Sequence, residues 1–163
     1  MDQILQLLEK DCRLTAGQIA AQLGRPADEV AAEIARYEKE GVILGYTALI
    51  DWDKTDREYV SAVIELKVSP SRDRGFDKIA ERIYQYPEVQ AVQLMSSSGY
   101  DLMLIIEGKT MKEVAYFVAN KLATLDSVIS TATHFVLKKY KDMGVIYGAK
   151  NTDERDQAYY GLQ

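Results

Sequence analysis

Between Thr15 and Tyr46 two apolar periods of helical spacing are separated by a single glycine turn, and few folds accommodate that pattern. Thr15 and Gln18 form a T-x-x-Q pair, the spacing of a capping box that opens a helix. Ile19, Ala20 and Leu23 give this helix one apolar side, and Gly24 supplies the turn. Val30, Ile34 and Tyr37 then repeat at helical spacing until Gly41 stops the second helix. Val42-Ile43-Leu44-Gly45-Tyr46 is short, β-favouring and broken by glycine, which predicts a β-wing. Upstream, Ile4, Leu5, Leu7 and Leu8 begin another helix. Three helices and a wing describe a winged helix-turn-helix, a unit shaped to lie on duplex DNA.

Beyond a dense polar run, Asp51-Trp52-Asp53-Lys54-Thr55-Asp56-Arg57-Glu58, the period changes. Ala62, Ile64, Leu66 and Val68 alternate with Ser61, Val63, Glu65 and Lys67 as a half-buried strand does. Phe76, Ile79, Ala80 and Ile83 show helical spacing that ends before Pro87. Val89 to Met95 and Leu102 to Ile106 read as a strand pair joined through Ser96-Ser97-Ser98-Gly99-Tyr100-Asp101. Thr110-Met111-Lys112-Glu113 predicts a second capping box, opening a helix that buries Val114, Val118 and Leu122 with Phe117 beside them. Ile129, Thr131, Thr133, Phe135 and Leu137 alternate as a last strand. The order is βαββαβ, a ferredoxin-like arrangement with helices on one sheet face only. The other face needs cover, which two protomers packed sheet to sheet would supply. The expected fold class is therefore α+β. The expected parts are a winged helix-turn-helix over 1–50, a linker over 51–58, a ferredoxin-like domain over 59–145 and a polar tail over 146–163. Trp52 is expected to pack between the domains.

Composition limits the function. Hydrophobic residues make up 47% of the 163, too many for disorder. No apolar run reaches membrane-span length and no signal segment opens the chain, so no membrane partner is expected. A single cysteine, Cys12, cannot form an internal disulfide and fits a reducing cytoplasm and a buried structural thiol. Charge runs against the usual footprint of a nucleic-acid binder. The net charge is −5, and residues 1–50 carry 5 Lys+Arg against 8 Asp+Glu.

Several anchors together resemble the Lrp/AsnC (feast/famine) family of transcription regulators. In the first half they are Ile4-Leu5-x-x-Leu8 with Arg13, Ile19-Ala20, and Arg36-Tyr37-Glu38-x-x-Gly41-Val42-Ile43-x-Gly45-Tyr46. In the second half they are Pro87-Glu88-Val89, Tyr100-Asp101-Leu102 and Thr131-x-Thr133-x-x-Val136-Leu137-x-x-x-Lys141. The resemblance covers roughly residues 1 to 145. It implies a DNA-binding regulator, not an enzyme, that dimerises through its second domain and often stacks into octamers. It also implies an amino acid or related small molecule as effector, held between those domains, and no cofactor. The chain departs from the family pattern at Pro26, where a serine usually caps the recognition helix. It departs at Glu33, where an arginine is usual, and at Ser98, where the family's loop glycine falls one place before Gly99.

The candidate DNA-reading residues are Arg25, Asp28, Glu29, Ala32, Glu33 and Arg36. Arg25 and Arg36 suit phosphate, whereas an acidic side chain repels it but can accept from cytosine N4. Asp28 and Glu29 have an equally good explanation as complements to the helix dipole, which does not extend to Glu33. DNA binding is therefore expected to be weak per site and reliant on oligomerisation. The candidate effector residues are Ser97, Ser98, Gly99, Tyr100 and Asp101, with Ser130 and Thr131 as weaker ones. Backbone N–H groups of the Ser/Gly turn suit a carboxylate and Asp101 suits an ammonium, although the same residues are ordinary turn chemistry. His134, the only histidine, reads as a packing or surface residue. No metal-ligand spacing, phosphate-loop motif or catalytic constellation occurs. Two other readings stay open. One is an effector-binding oligomeric sensor with weak or lost DNA binding; the other is an enzyme, since some heme-biosynthesis proteins share this two-domain plan.

Overall fold

The structure, a computed structural model, describes residues 2–96 and 98–148. It divides into two compact units between Ile50 and Asp51.

The first unit holds helices α1 (Gln3–Lys10), α2 (Ala16–Leu23) and α3 (Ala27–Lys39). Asp2 caps α1 by accepting from the N–H groups of Ile4 and Leu5. The Thr15/Gln18 capping box forms in both directions: the Gln18 N–H donates to Thr15 Oγ1 and the Thr15 N–H donates to Gln18 Oε1. Gly24 turns the chain at φ +65°, a left-handed conformation that costs glycine nothing. Ile4, Leu8, Ile19, Ala20 and Val30 are buried together, with Leu23, Ile34 and Ile43 packed against them. Gly41, at φ +69°, closes α3, and the Val42 and Ile43 N–H groups both donate to the Tyr37 carbonyl.

The expected β-wing does not form as a strand. Val42 to Tyr46 are irregular, Leu44 is 94% exposed, and no described strand pairs with them. β-favouring side chains make a strand only against a partner strand, and here the local pull is toward capping α3.

The second unit holds β1 (Val60–Val68), α4 (Asp77–Ile83), β2 (Val89–Leu94), β3 (Leu102–Gly108), α5 (Met111–Phe117) and β4 (Val128–Phe135). A single 3₁₀ turn, Trp52–Lys54, precedes them, with the Arg57 guanidinium over the Trp52 ring at 4.2 Å. The sheet order is β2-β3-β1-β4 with every neighbouring pair antiparallel, as the ferredoxin-like reading requires. Ala62, Ile64, Leu66, Leu102, Leu104 and Ile106 point to one face and are buried against Ile79, Ile83, Val114, Phe117 and Leu122.

Two local expectations need correction. Thr110 does accept from the Glu113 N–H, but the Glu113 carboxylate reaches back to the Lys109 N–H rather than to Thr110, so the box is only half formed. The last strand ends at Phe135, and Leu137 beyond it is 86% exposed. A small hairpin follows, β5 (Lys141–Asp142) with β6 (Val145–Ile146), turning through Met143 and Gly144 at positive φ. Ile146 therefore belongs to a strand; the rest of the predicted tail from Ala149 lies outside the described residues.

Candidate functional site

In the first unit, α3 presents one buried and one exposed side. Val30 and Tyr37 face the core, whereas Asp28, Glu29, Ala32 and Arg36 are exposed. Pro26 stands at the N-cap with no side-chain bond to the helix, so the first-turn acids Asp28 and Glu29 are what complements the exposed N–H groups there. Arg25, just before the helix, donates from Nη2 to Glu33 Oε2 at 2.8 Å and lies 4.0 Å from Glu29. Arg36 donates to Glu40 at 2.8 Å and stands 3.8 Å from Glu33. The two arginines expected to meet phosphate are thus both engaged by carboxylates of α3. The Arg25 guanidinium holds Glu33 below the usual carboxylate range, with the Tyr37 hydroxyl assisting, and Glu33 in turn raises Arg25.

Tyr37 is a member that sequence reasoning placed only in the core. Its hydroxyl sits between the Asp2 carboxylate and Glu33 Oε1, the latter at 3.0 Å. The hydrogen bond to Asp2, burial and Glu33 push its pKa up to about 12. Only its spacing of four residues from Glu33 hinted at this contact.

In the second unit the effector candidates gather at one end of the sheet, except Ser97, which lies outside the described residues. Asp101 closes that corner. Its carboxylate accepts from Lys67 Nζ at 3.1 Å and from the Val68 N–H at 2.9 Å, while its own N–H donates to the Leu66 carbonyl. The Val68 N–H bond, followed by Lys67, keeps Asp101 below the ordinary carboxylate value. An incoming ammonium would therefore compete with Lys67. Lys67, absent from the predicted set, pairs in register with Ser130, so Ser130, Lys67 and Asp101 share a corner on the helix-free face. Thr131 pairs with Leu66 and points to the helix-covered side instead. Ser98 and Gly99 are exposed beside the corner, and Tyr100 is half-buried.

The helix-free face carries Ala91 and Gln93 from β2, Met103 and Ile105 from β3, Val63 and Glu65 from β1, and Ala132 and His134 from β4. His134 Nε2 lies 3.5 Å from Glu65 across this face, which makes it a surface residue in this chain. Among the described residues no group of three or more His, Cys, Asp or Glu is placed to hold a metal, and no helix is long and apolar enough to cross a membrane. Cys12 is half-exposed, its thiol 3.7 Å from the Thr47 carbonyl, so the expected burial is only partial.

The chain thus joins a helix-turn-helix to an antiparallel βαββαβ unit. The chain belongs to the Lrp/AsnC family: residues 61–146 match its model of the Lrp/AsnC ligand binding domain, and residues 3–43 match a model of winged helix-turn-helix DNA-binding units. It is 49% identical to the HTH-type transcriptional regulator YugG of Bacillus subtilis, over 94% of this chain and 92% of that one. Among solved structures, it is similar to the transcriptional regulator NMB0573 from Neisseria meningitidis in its L-Met complex. That match has a TM-score of 0.70 and 22% identity over 86% of this chain and 89% of the other. Escherichia coli AsnC matches with a TM-score of 0.64 and 18% identity over 83% and 89%. The relatives are transcription regulators, which answers the enzyme reading.

Proposed function

We propose that this Lrp/AsnC regulator is cytoplasmic and responds to an amino acid, and that it acts on DNA as a homo-oligomer whose individual reading heads grip weakly. The observation that carries the last point is the engagement of Arg25 and Arg36 by Glu33 and Glu40, which leaves few free cations for phosphate on the exposed side of α3. Several such heads held together raise the effective concentration of each at its site, so avidity compensates for the weak single contact. The open sheet face, with Val63, Ala91, Met103, Ile105 and Ala132 on it, supports a homodimer made by packing two sheets together. Stacking of such dimers into an octamer is a further step of the same proposal.

The effector reading is supported by the family's ligand-binding domain and by the polar corner at Ser98–Asp101, Lys67 and Ser130. The NMB0573 complex holds L-Met, and an amino acid is the natural class to screen first. Thermal-shift measurement against the twenty amino acids tests it, because a ligand that binds only the folded state raises the melting temperature. A rise with at least one amino acid is expected; no rise with any of them contradicts the effector reading. A low-salt mobility shift tests the DNA reading separately. Ligand stabilisation with no shift on any upstream DNA would favour the alternative, an effector-binding sensor that has lost its DNA affinity, which the same ion pairs on α3 make physically reasonable.

A further inference from the structure

Glu33 is placed to set how hard the reading helix grips DNA, an inference that rests on the DNA-binding reading above. Its carboxylate is not a wandering surface charge. Tyr37 holds one oxygen at 3.0 Å, Arg25 holds the other at 2.8 Å, and the Glu33 side chain is only 24% exposed. Arg36 stands 3.8 Å away on the same carboxylate. The remaining charged groups around it are Asp2, which shares the Tyr37 hydroxyl, Glu29, 4.0 Å from Arg25, and Glu40, paired with Arg36.

We propose that Glu33 is a specificity-determining residue, an internal stand-in for phosphate from which Arg25 must be taken before it can touch DNA. Exposed ion pairs are weak enough for a phosphate to displace one partner. On a random duplex that exchange takes from Glu33 its nearest cation and leaves the carboxylate, with only the Tyr37 hydroxyl and the more distant Arg36, among phosphates, which penalises non-specific contact. A site that presents a cytosine N4 amino group to the freed carboxylate replaces the lost donor and avoids the penalty.

The test uses the full chain as wild type, E33Q, R25Q and the R25Q/E33Q double variant, titrated by fluorescence anisotropy against a random duplex of about 30 base pairs between roughly 50 and 200 mM salt. Glutamine keeps an acceptor for Tyr37 and nearly the same volume, and a circular-dichroism melt checks that E33Q folds. E33Q should bind more tightly than wild type. Its log–log salt slope should steepen by about 0.9 for each reading head engaged, so its advantage shrinks about 3.5-fold per head across that salt range. The double variant should lose the extra slope. Equal affinity and slope for wild type and E33Q, or an extra slope that survives R25Q, overturns the role of Glu33 while leaving DNA binding intact. Binding by neither wild type nor E33Q removes the DNA reading and this inference with it. Selection from a random pool should return a cytosine for wild type that E33Q does not prefer; identical preferences overturn the readout.

Discussion

Tyr37 has one phenolic proton and two carboxylates to satisfy, Asp2 from the start of α1 and Glu33 from the turn before it on α3. The neutral phenol is therefore favoured in the folded chain, with its pKa raised from 10.0 to about 12. A raised pKa contributes stability that is complete below the unfolded value and is lost as pH rises through the folded one. Chemical denaturation of wild type should thus show stability falling between pH 10 and about 12, a limb that Tyr37→Phe flattens. Asp101 works in the opposite sense. Its carboxylate is held low by the Val68 N–H and Lys67, so its contribution is present above the ordinary carboxylate value and disappears as pH falls through the depressed one. Asp101→Asn should lower the melting temperature at neutral pH and remove part of the acid limb; an unchanged acid profile would show that the corner is not held this way. Apart from the four-residue spacing of Glu33 and Tyr37, none of these pairings is legible in the sequence. Asp2 and Tyr37 are 35 residues apart, Lys67 and Asp101 are 34 apart, and nothing in spacing alone says which carboxylate meets which cation.

At the scale of elements, the parts that could be read in advance are those where one face must be buried. The alternation of β1 and the stripe Val114, Phe117, Val118, Leu122 each point a single way, and the structure buries them accordingly, whereas β3 reads only as an apolar run whose buried face the structure alone reveals. The helix does not stay regular, however: after Phe117 it widens into a π-helical turn, Val118–Leu122, that still keeps Val118 and Leu122 inside. Leu122 is fully buried, so Leu122→Ala should cost about 2–5 kcal/mol in a denaturant titration. The Thr15 cap is local and equally legible; Thr15→Ala should cost about 1 kcal/mol by the same measurement. The wing was not legible because β-favouring composition says nothing about the presence of a partner strand, and Val42–Tyr46 has none among the described residues. The α3 network is not legible for a related reason. Arg25 and Glu33 are eight residues apart, and only the turn at Gly24–Pro26 folds the arginine back along the helix.

For the whole molecule, two weaknesses are proposed to offset each other. The first unit offers a reading helix whose arginines are already paired. The second offers a sheet with one face unsheltered by its own helices, where Ile105 lies between Val63 and Ala91. Burying that face against a second copy removes apolar surface from water and brings two reading heads to one duplex. Placing an unpaired charge at its centre should undo the association while leaving the helix-covered core untouched, since Ile105 points away from it. Ile105→Arg, compared with wild type by light scattering and by anisotropy on the same duplex in low salt, tests this most directly. The account predicts an oligomeric wild type that binds and a folded, monomeric variant whose affinity falls at least tenfold; a monomeric wild type, or a monomeric variant that binds DNA as tightly, would contradict it.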